Sequence, residues 1–154
     1  MLQAVSSPVT TPDPALPEIA LRVDRQKLAK RLWRGAAEDG TEFGCELAAP
    51  LQDGDTVWQT STARYVVRQE PEPVLEVALD LAPSAAAGLG WAIGNLHLEL
   101  SAEATRLLAP DDPAVRQLFD RLAVPYRAAT AVFRPGRFAR GTQQIHELGP
   151  SHRH

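Results

Sequence analysis

The chain is short of the residues that most often announce a chemistry. It holds one cysteine, Cys45, in 154 residues, which excludes an internal disulfide and any multi-cysteine zinc site. Free cysteine is frequently buried, so Cys45 is expected as a strand side chain in a core. Of four histidines, only His97 precedes residue 146. No basic excess exists either: 16 Lys and Arg face 19 Asp and Glu, for a net charge of -3. With the cations scattered, nucleic acid is not an expected partner. The longest apolar run, near residues 81–93, is broken by Pro83 and Ser84, and no membrane span is expected from so short a stretch. The first residues lack the basic and apolar regions of a secretory signal, so the expected location is cytoplasmic. No Gly-x-Ser-x-Gly, Walker or dinucleotide fingerprint occurs. Nucleophilic hydrolysis and nucleotide chemistry have no anchor, and the chain is not expected to be an enzyme.

What is present divides the chain. Residues 1–17 carry Pro8, Pro12, Pro14 and Pro17 among Ser and Thr, a composition that resists helix and central strand, and a flexible N-terminal arm is expected. Residues 18–72 hold short β-forming runs separated by turn signals at Glu38-Asp39-Gly40, Pro50 and Asp53-Gly54-Asp55. They predict a β-rich domain with strands at 43–47, 56–59 and 65–69. Asp53 and Asp55 fall far short of a calcium loop and read as a turn. Pro71-Glu72-Pro73 favours a stiff, extended connection and marks a boundary.

Residues 73–138 follow a different rhythm. A strand is predicted at 74–79, then a helix from Pro83-Ser84 through the alanines at 85–87, ending near Gly94. Leu96, Leu98 and Leu100 alternate with His97 and Glu99, the period of a half-buried strand, and another strand is predicted at 105–109. Asp111-Asp112-Pro113 opens a helix on which Val115, Leu118, Phe119 and Leu122 form one apolar face. Pro125 ends it, and residues 127–134 return as a strand. The order β-α-β-β-α-β is that of the ferredoxin-like split βαβ unit. The expected fold class is therefore α+β, a β-rich N-terminal domain followed by a ferredoxin-like βαββαβ domain. Residues 139–154, with Gly141, Gly149 and Pro150, have little to bury and are expected to form a flexible, histidine-containing tail.

His97 closes the segment Gly90-Trp91-Ala92-Ile93-Gly94-Asn95-Leu96-His97. One imidazole is a poor metal site, but a twofold-symmetric dimer brings the same residue from both chains to the axis. The local sequence suits such an interface: Gly88, Gly90 and Gly94 permit close approach, and Leu89, Trp91 and Ile93 offer apolar surface. These residues equally suit packing onto their own sheet, with His97 as a hydrogen-bonded structural residue.

Gly94-Asn95-Leu96-His97 resembles the Gly-Asn-x-His signature of the UreE urease accessory proteins, a family of nickel metallochaperones. Asp24-Arg25 with Lys30-Arg31, Asp39-Gly40-Thr41-Glu42-Phe43-Gly44, Leu51-Gln52-Asp53-Gly54-Asp55 and Pro73-Val74-Leu75-Glu76-Val77 fall in that family's order, and the resemblance covers residues 20–135. It implies a β-rich domain joined to a ferredoxin-like metal-binding domain, and a homodimer in which His97 of each chain binds Ni(II). His146, His152 and His154 would be tail ligands completing the coordination. It further implies delivery to the apo-urease assembly complex through the urease accessory GTPase. Leu96 stands where the family often has a basic residue, and Ala92 where it frequently has histidine. The tail is poorer in histidine than the long runs of some members, which argues against bulk nickel storage. Neutral imidazole suits Ni(II), Cu(II) and Zn(II) alike, so Zn(II) or Cu(II) binding in vitro is expected as well. Asn95 is a candidate to orient the His97 ring. The alternative reading is a non-metal protein-interaction module in which His97 is structural and the tail inert. An enzyme with His97 as general base lacks a nucleophile or an orienting carboxylate.

Overall fold

A computed structural model describes residues 1–140 and 143–145, with the backbone alone at 139, 140 and 143–145. The chain is α+β and divides into two compact units, Met1–Glu70 and Pro71–His154.

The first unit contains strands β1 (Leu2–Val5), β2 (Glu18–Val23), β3 (Leu32–Ala36), β4 (Glu42–Glu46), β5 (Thr56–Gln59) and β6 (Arg64–Gln69), with one turn of helix, α1 (Arg25–Leu28), after β2. They form two three-stranded sheets, ordered β1-β4-β3 and β2-β6-β5. Alternation along β4 sends Phe43 and Cys45 inward, where they join Leu21, Val23, Trp33, Val57, Tyr65 and Val67 in one apolar cluster. Phe43, Trp58 and Tyr65 meet with ring centroids 5.2–6.0 Å apart. Gly44, between the two inward residues, faces Leu2, and a Cβ there would lie 2.9 Å from Leu Cδ2. That close approach seats β1.

The flexible arm expected at residues 1–17 needs correction at residues 2–5 and at Val9, since β1 pairs in parallel with β4, Val5 is buried, and the Val9 N–H reaches the Thr56 carbonyl at 2.7 Å. The reason is positional. All four prolines of the segment follow Val5, leaving residues 2–5 free to donate to a sheet edge. Burial pushes the Cys45 thiol up to about 11, which makes it a core side chain rather than a nucleophile. The aspartates flanking Gly54 serve the backbone: Asp53 accepts from the Gln69 N–H and Asp55 from the Gln52 N–H, both at 2.8 Å.

The second unit runs β7 (Glu72–Ala78), α2 (Pro83–Asn95), β8 (Ser101–Ala102), β9 (Arg106–Pro110), α3 (Pro113–Arg121), β10 (Arg127–Ala131), β11 (Phe138–Arg140) and β12 (Gln143–Ile145). Its sheet is ordered β10-β7-β9-β8-β11-β12. Leu75, Val77, Leu107 and Ala109 point to one face and pack with Leu89 and Ile93 of α2 and with Val115, Leu118 and Phe119 of α3. Asp112 caps α3 by accepting from the Ala114 N–H at 2.7 Å, and the Arg116 guanidinium grips Asp111 at 2.7 and 2.8 Å. Leu122, expected on the apolar face, is instead the C-cap residue and is 44% exposed.

Three further expectations change here. The strand expected at 96–100 is unpaired until Ser101. Leu98 and Leu100 do sink into the helix-side core with Glu99 outward, so the alternation reports burial without a hydrogen-bonded ladder. The strand expected at 127–134 stops at Ala131, because residues 132–137 leave the β10 edge and cross the sheet's other face. Phe133 pins that crossing, fully buried against Val74 and Leu108. The segment expected as a flexible tail from residue 139 begins with paired strands: Phe138 pairs in parallel with Ala102 and antiparallel with Ile145.

Thr56 is 3% exposed and its hydroxyl has no hydrogen-bond partner. A buried unsatisfied polar atom is costly, and replacing it by a methyl of similar shape removes the cost. Thr56→Val is expected to raise stability by up to about 1 kcal/mol in urea unfolding; a loss of that size would mean that the hydroxyl is satisfied.

Candidate metal site at the C-terminus of helix α2

Helix α2 is built around two buried residues, Leu89 and Ile93, four apart on one face. The opposite face carries Ser84, Ala87, Gly88, Trp91, Gly94 and Asn95, all exposed, with Trp91 at 69%. No Asp, Glu, Lys or Arg occurs between Pro83 and Asn95. The helix thus presents an uncharged outer surface with one large aromatic ring standing from it.

Its end is sharply defined. The His97 N–H donates to the Gly94 carbonyl at 2.9 Å and the Leu98 N–H to the Ile93 carbonyl at 3.2 Å. These are the two bonds of a Schellman motif, with Leu96 as the C-cap and His97 at the position after it. That position requires left-handed backbone, normally supplied by glycine, and His97 has φ 57°. Histidine enters this region more readily than bulky or branched residues, yet still at a cost. Leu98 then packs into the same core as Ile93, which completes the apolar contact that accompanies the motif. Gly94-Asn95-Leu96-His97 is accordingly a helix stop, and it aims an imidazole outward.

The His97 side chain is exposed and makes no hydrogen bond among the described residues. Asn95 is exposed beside it, with no side-chain bond joining the two, so the expected orienting role of Asn95 finds no contact here. Leu96 is also exposed. Among the described residues no three His, Cys, Asp or Glu side chains converge as a metal-binding group. Cys45, Asp53 and Asp55 belong to the first unit and are occupied by core packing and turn hydrogen bonds. His146, His152 and His154 lie outside the described residues.

Sequence reasoning missed a charged network on the second unit's sheet. Glu76 receives Arg127 at 3.1 Å and Arg106 at 3.4 Å, and Arg106 also meets Glu103 at 2.6 Å. Hydrogen bonds from Arg127, reinforced by both guanidinium charges, hold the Glu76 carboxyl below the usual range. The available signal was the parity of β7, where Glu76 stands between the inward Leu75 and Val77.

A family model described as the C-terminal domain of the UreE urease accessory protein matches residues 72–154. A urease accessory protein UreE of Bifidobacterium longum subsp. infantis is 35% identical over 83 residues, covering 54% of this chain and 37% of that protein. The chain thus spans little more than a third of this relative. The UreE of Geobacillus kaustophilus is 33% identical over 119 residues, 73% of this chain and 80% of the relative. That of Deinococcus radiodurans is 33% identical over 135 residues, 85% and 82% respectively. The matched region contains the whole of the second unit's α+β fold and the helix stop at His97, and it places the chain among the urease accessory proteins. The chain belongs to the UreE family. That family consists of accessory chaperones and not of enzymes. No helix among the described residues is long and apolar enough to cross a membrane.

The strain at His97 can be tested without any ligand. His97→Gly removes the imidazole and relieves the left-handed backbone, and is expected to stabilise the fold by up to about 1 kcal/mol in urea unfolding. Destabilisation by a similar amount would show that the imidazole holds structural contacts.

Proposed function

We propose that this chain is a cytoplasmic, homodimeric nickel metallochaperone that binds Ni(II) through His97 of both protomers and delivers it to apo-urease, through the GTPase of the accessory complex. The observation that carries the reading is His97 itself. A solvent-facing imidazole, free of hydrogen bonds among the described residues and held in a strained backbone, is expensive as structure and well placed as a ligand. Nickel as the metal rests on the family's signature at Gly94, Asn95 and His97, since imidazole alone would not distinguish it from Cu(II) or Zn(II).

The dimer is supported by the outer face of α2, where exposed Trp91 lies among small residues without charge. The ferredoxin-like reading of the second unit is supported by its element order and by the strand order β10-β7-β9-β8 with both helices on one face. We assign the β-rich unit to protein contacts and the second unit to the metal. For the tail, β12 runs antiparallel to β11, which is parallel to β8. The chain therefore heads back along the sheet edge toward the end of β8 that His97 precedes by four residues. This direction favours His146, the residue after β12, as the first tail ligand, with His152 and His154 as further candidates.

Trp91→Glu is expected to yield folded monomers in light scattering, because an unpaired charge in an interface is costly; a folded variant that remains dimeric assigns the interface elsewhere. In calorimetric titration, one Ni(II) per dimer is expected at the tightest site and His97→Ala is expected to abolish it. Deletion of residues 141–154 should weaken binding and preserve the dimer. A chain that binds no Ni(II) at all would be the non-metal interaction module instead. Binding should also weaken as pH falls from 8 to 5. Protons compete for imidazole nitrogen near about pH 6.5, at up to about tenfold per pH unit for each ligand that must deprotonate. A flat profile over that range would exclude an all-histidine site.

A further inference from the structure

Where residues 132–137 cross the sheet, they border an open cleft of about 240 Å³ lined by Ser101, Glu103, Arg106, Val132, Arg134 and Arg137. The crossing is held at three points. Phe133 is buried against Val74 and Leu108, the Gly136 N–H reaches the Leu100 carbonyl at 2.9 Å, and the Arg137 carbonyl accepts the Ala102 N–H at 2.9 Å. Both arginines of the crossing thus sit on anchored backbone.

Three guanidinium groups and one carboxylate line the cleft; Arg106 also meets Glu76, and Arg134 has an interaction of its own. That carboxylate, Glu103, is gripped by Arg106 at 2.6 and 3.1 Å. Arg137 makes no side-chain hydrogen bond or ion pair among the described residues. At the floor, Ser101 stands opposite Leu108 on the crossed face and lines the cleft, with only 5% of the residue exposed. A chain of net charge -3 has gathered three arginines and a serine hydroxyl around one concavity.

The geometry points to an oxyanion site in this cleft: a phosphate or carboxylate group gripped by Arg134 and Arg137, with the Ser101 hydroxyl donating from the floor. The planar guanidinium fork matches both anions in bidentate fashion, and such charge-assisted bonds strengthen when partly withdrawn from water. The cleft is roomy enough for the anion and a short organic substituent. Because His97 takes no part, the site stands or falls independently of metal binding.

The test is amide NMR of the full chain at constant ionic strength, titrated separately with inorganic phosphate and with an acetylated Glu-Glu dipeptide, sodium chloride serving as the control anion. Saturable shifts are expected at the amides of Ser101, Ala102, Glu103 and Arg137, and not with chloride. Arg137→Ala should weaken the response about tenfold or more, the loss of one charge-assisted pair, and Arg137→Lys should fall between. If Arg137→Ala loses its dispersed spectrum, Arg134→Gln serves in its place. A response to phosphate alone assigns a phosphate-bearing ligand, and one to the dipeptide alone assigns an acidic segment of a protein. No saturable shift with either probe, or undiminished binding in a folded variant, overturns the site.

Discussion

The metal site proposed for the second unit depends on how helix α2 stops. A helix that buries only Leu89 and Ile93 has little tertiary hold on its own end, and without a defined stop its last turn would fray. The Schellman bonds from His97 and Leu98, together with the burial of Leu98 beside Ile93, fix that end against the sheet. The required left-handed residue is His97, so the helix stop and the candidate ligand are one position. Glycine would make the better cap. Keeping histidine there exchanges some backbone comfort for an imidazole whose main chain is immobilised on both sides.

The absence of charge on α2 sharpens this arrangement. No cation in the last turn offsets the partial negative charge of the helix C-terminus, an effect of about 0.3–1 kcal/mol for a neighbouring charge. A metal cation bound at His97 would lie close to that end and gain from it. The same lack of charge removes the like-charge repulsion that would oppose two copies of the face around Trp91 approaching each other.

The other face of the sheet shows how the chain leaves the βαββαβ core. Val74 and Leu108 are apolar on a side that no helix among the described residues covers, and Phe133 packs on them. That contact, with the backbone bonds at Gly136 and Arg137, carries the chain after β10 across the sheet and delivers it beyond β8, where β11 and β12 can pair. The start of the histidine-containing tail is therefore set by core burial together with those bonds. From the sequence, Arg127 to Arg134 read as one continuing strand because nothing local distinguishes a strand from an extended crossing; the difference lies in which partner accepts the hydrogen bonds. The missed β1 has the same origin, since residues 2–5 acquire strand identity only from the β4 edge beside them. Where local chemistry decides, the sequence was legible: the start of α3 at Asp111-Asp112-Pro113, the end of α2 near Gly94, the turn at Asp53-Gly54-Asp55 and the inward Cys45 all depend on contacts within a few residues or on simple parity. His97 was legible as a candidate, but its left-handed backbone was not, because alternation with the leucines suggested a strand there. The cleft at Arg134 and Arg137 was invisible, as its residues meet only after the crossing is made.

A site for transported metal has to bind firmly enough to acquire the ion and loosely enough to surrender it. In the proposed arrangement His97 would serve both needs. Its backbone is already fixed by the helix stop, so only its side-chain rotamer would be restricted on binding, while its exposed position would leave room for an incoming ligand from a partner.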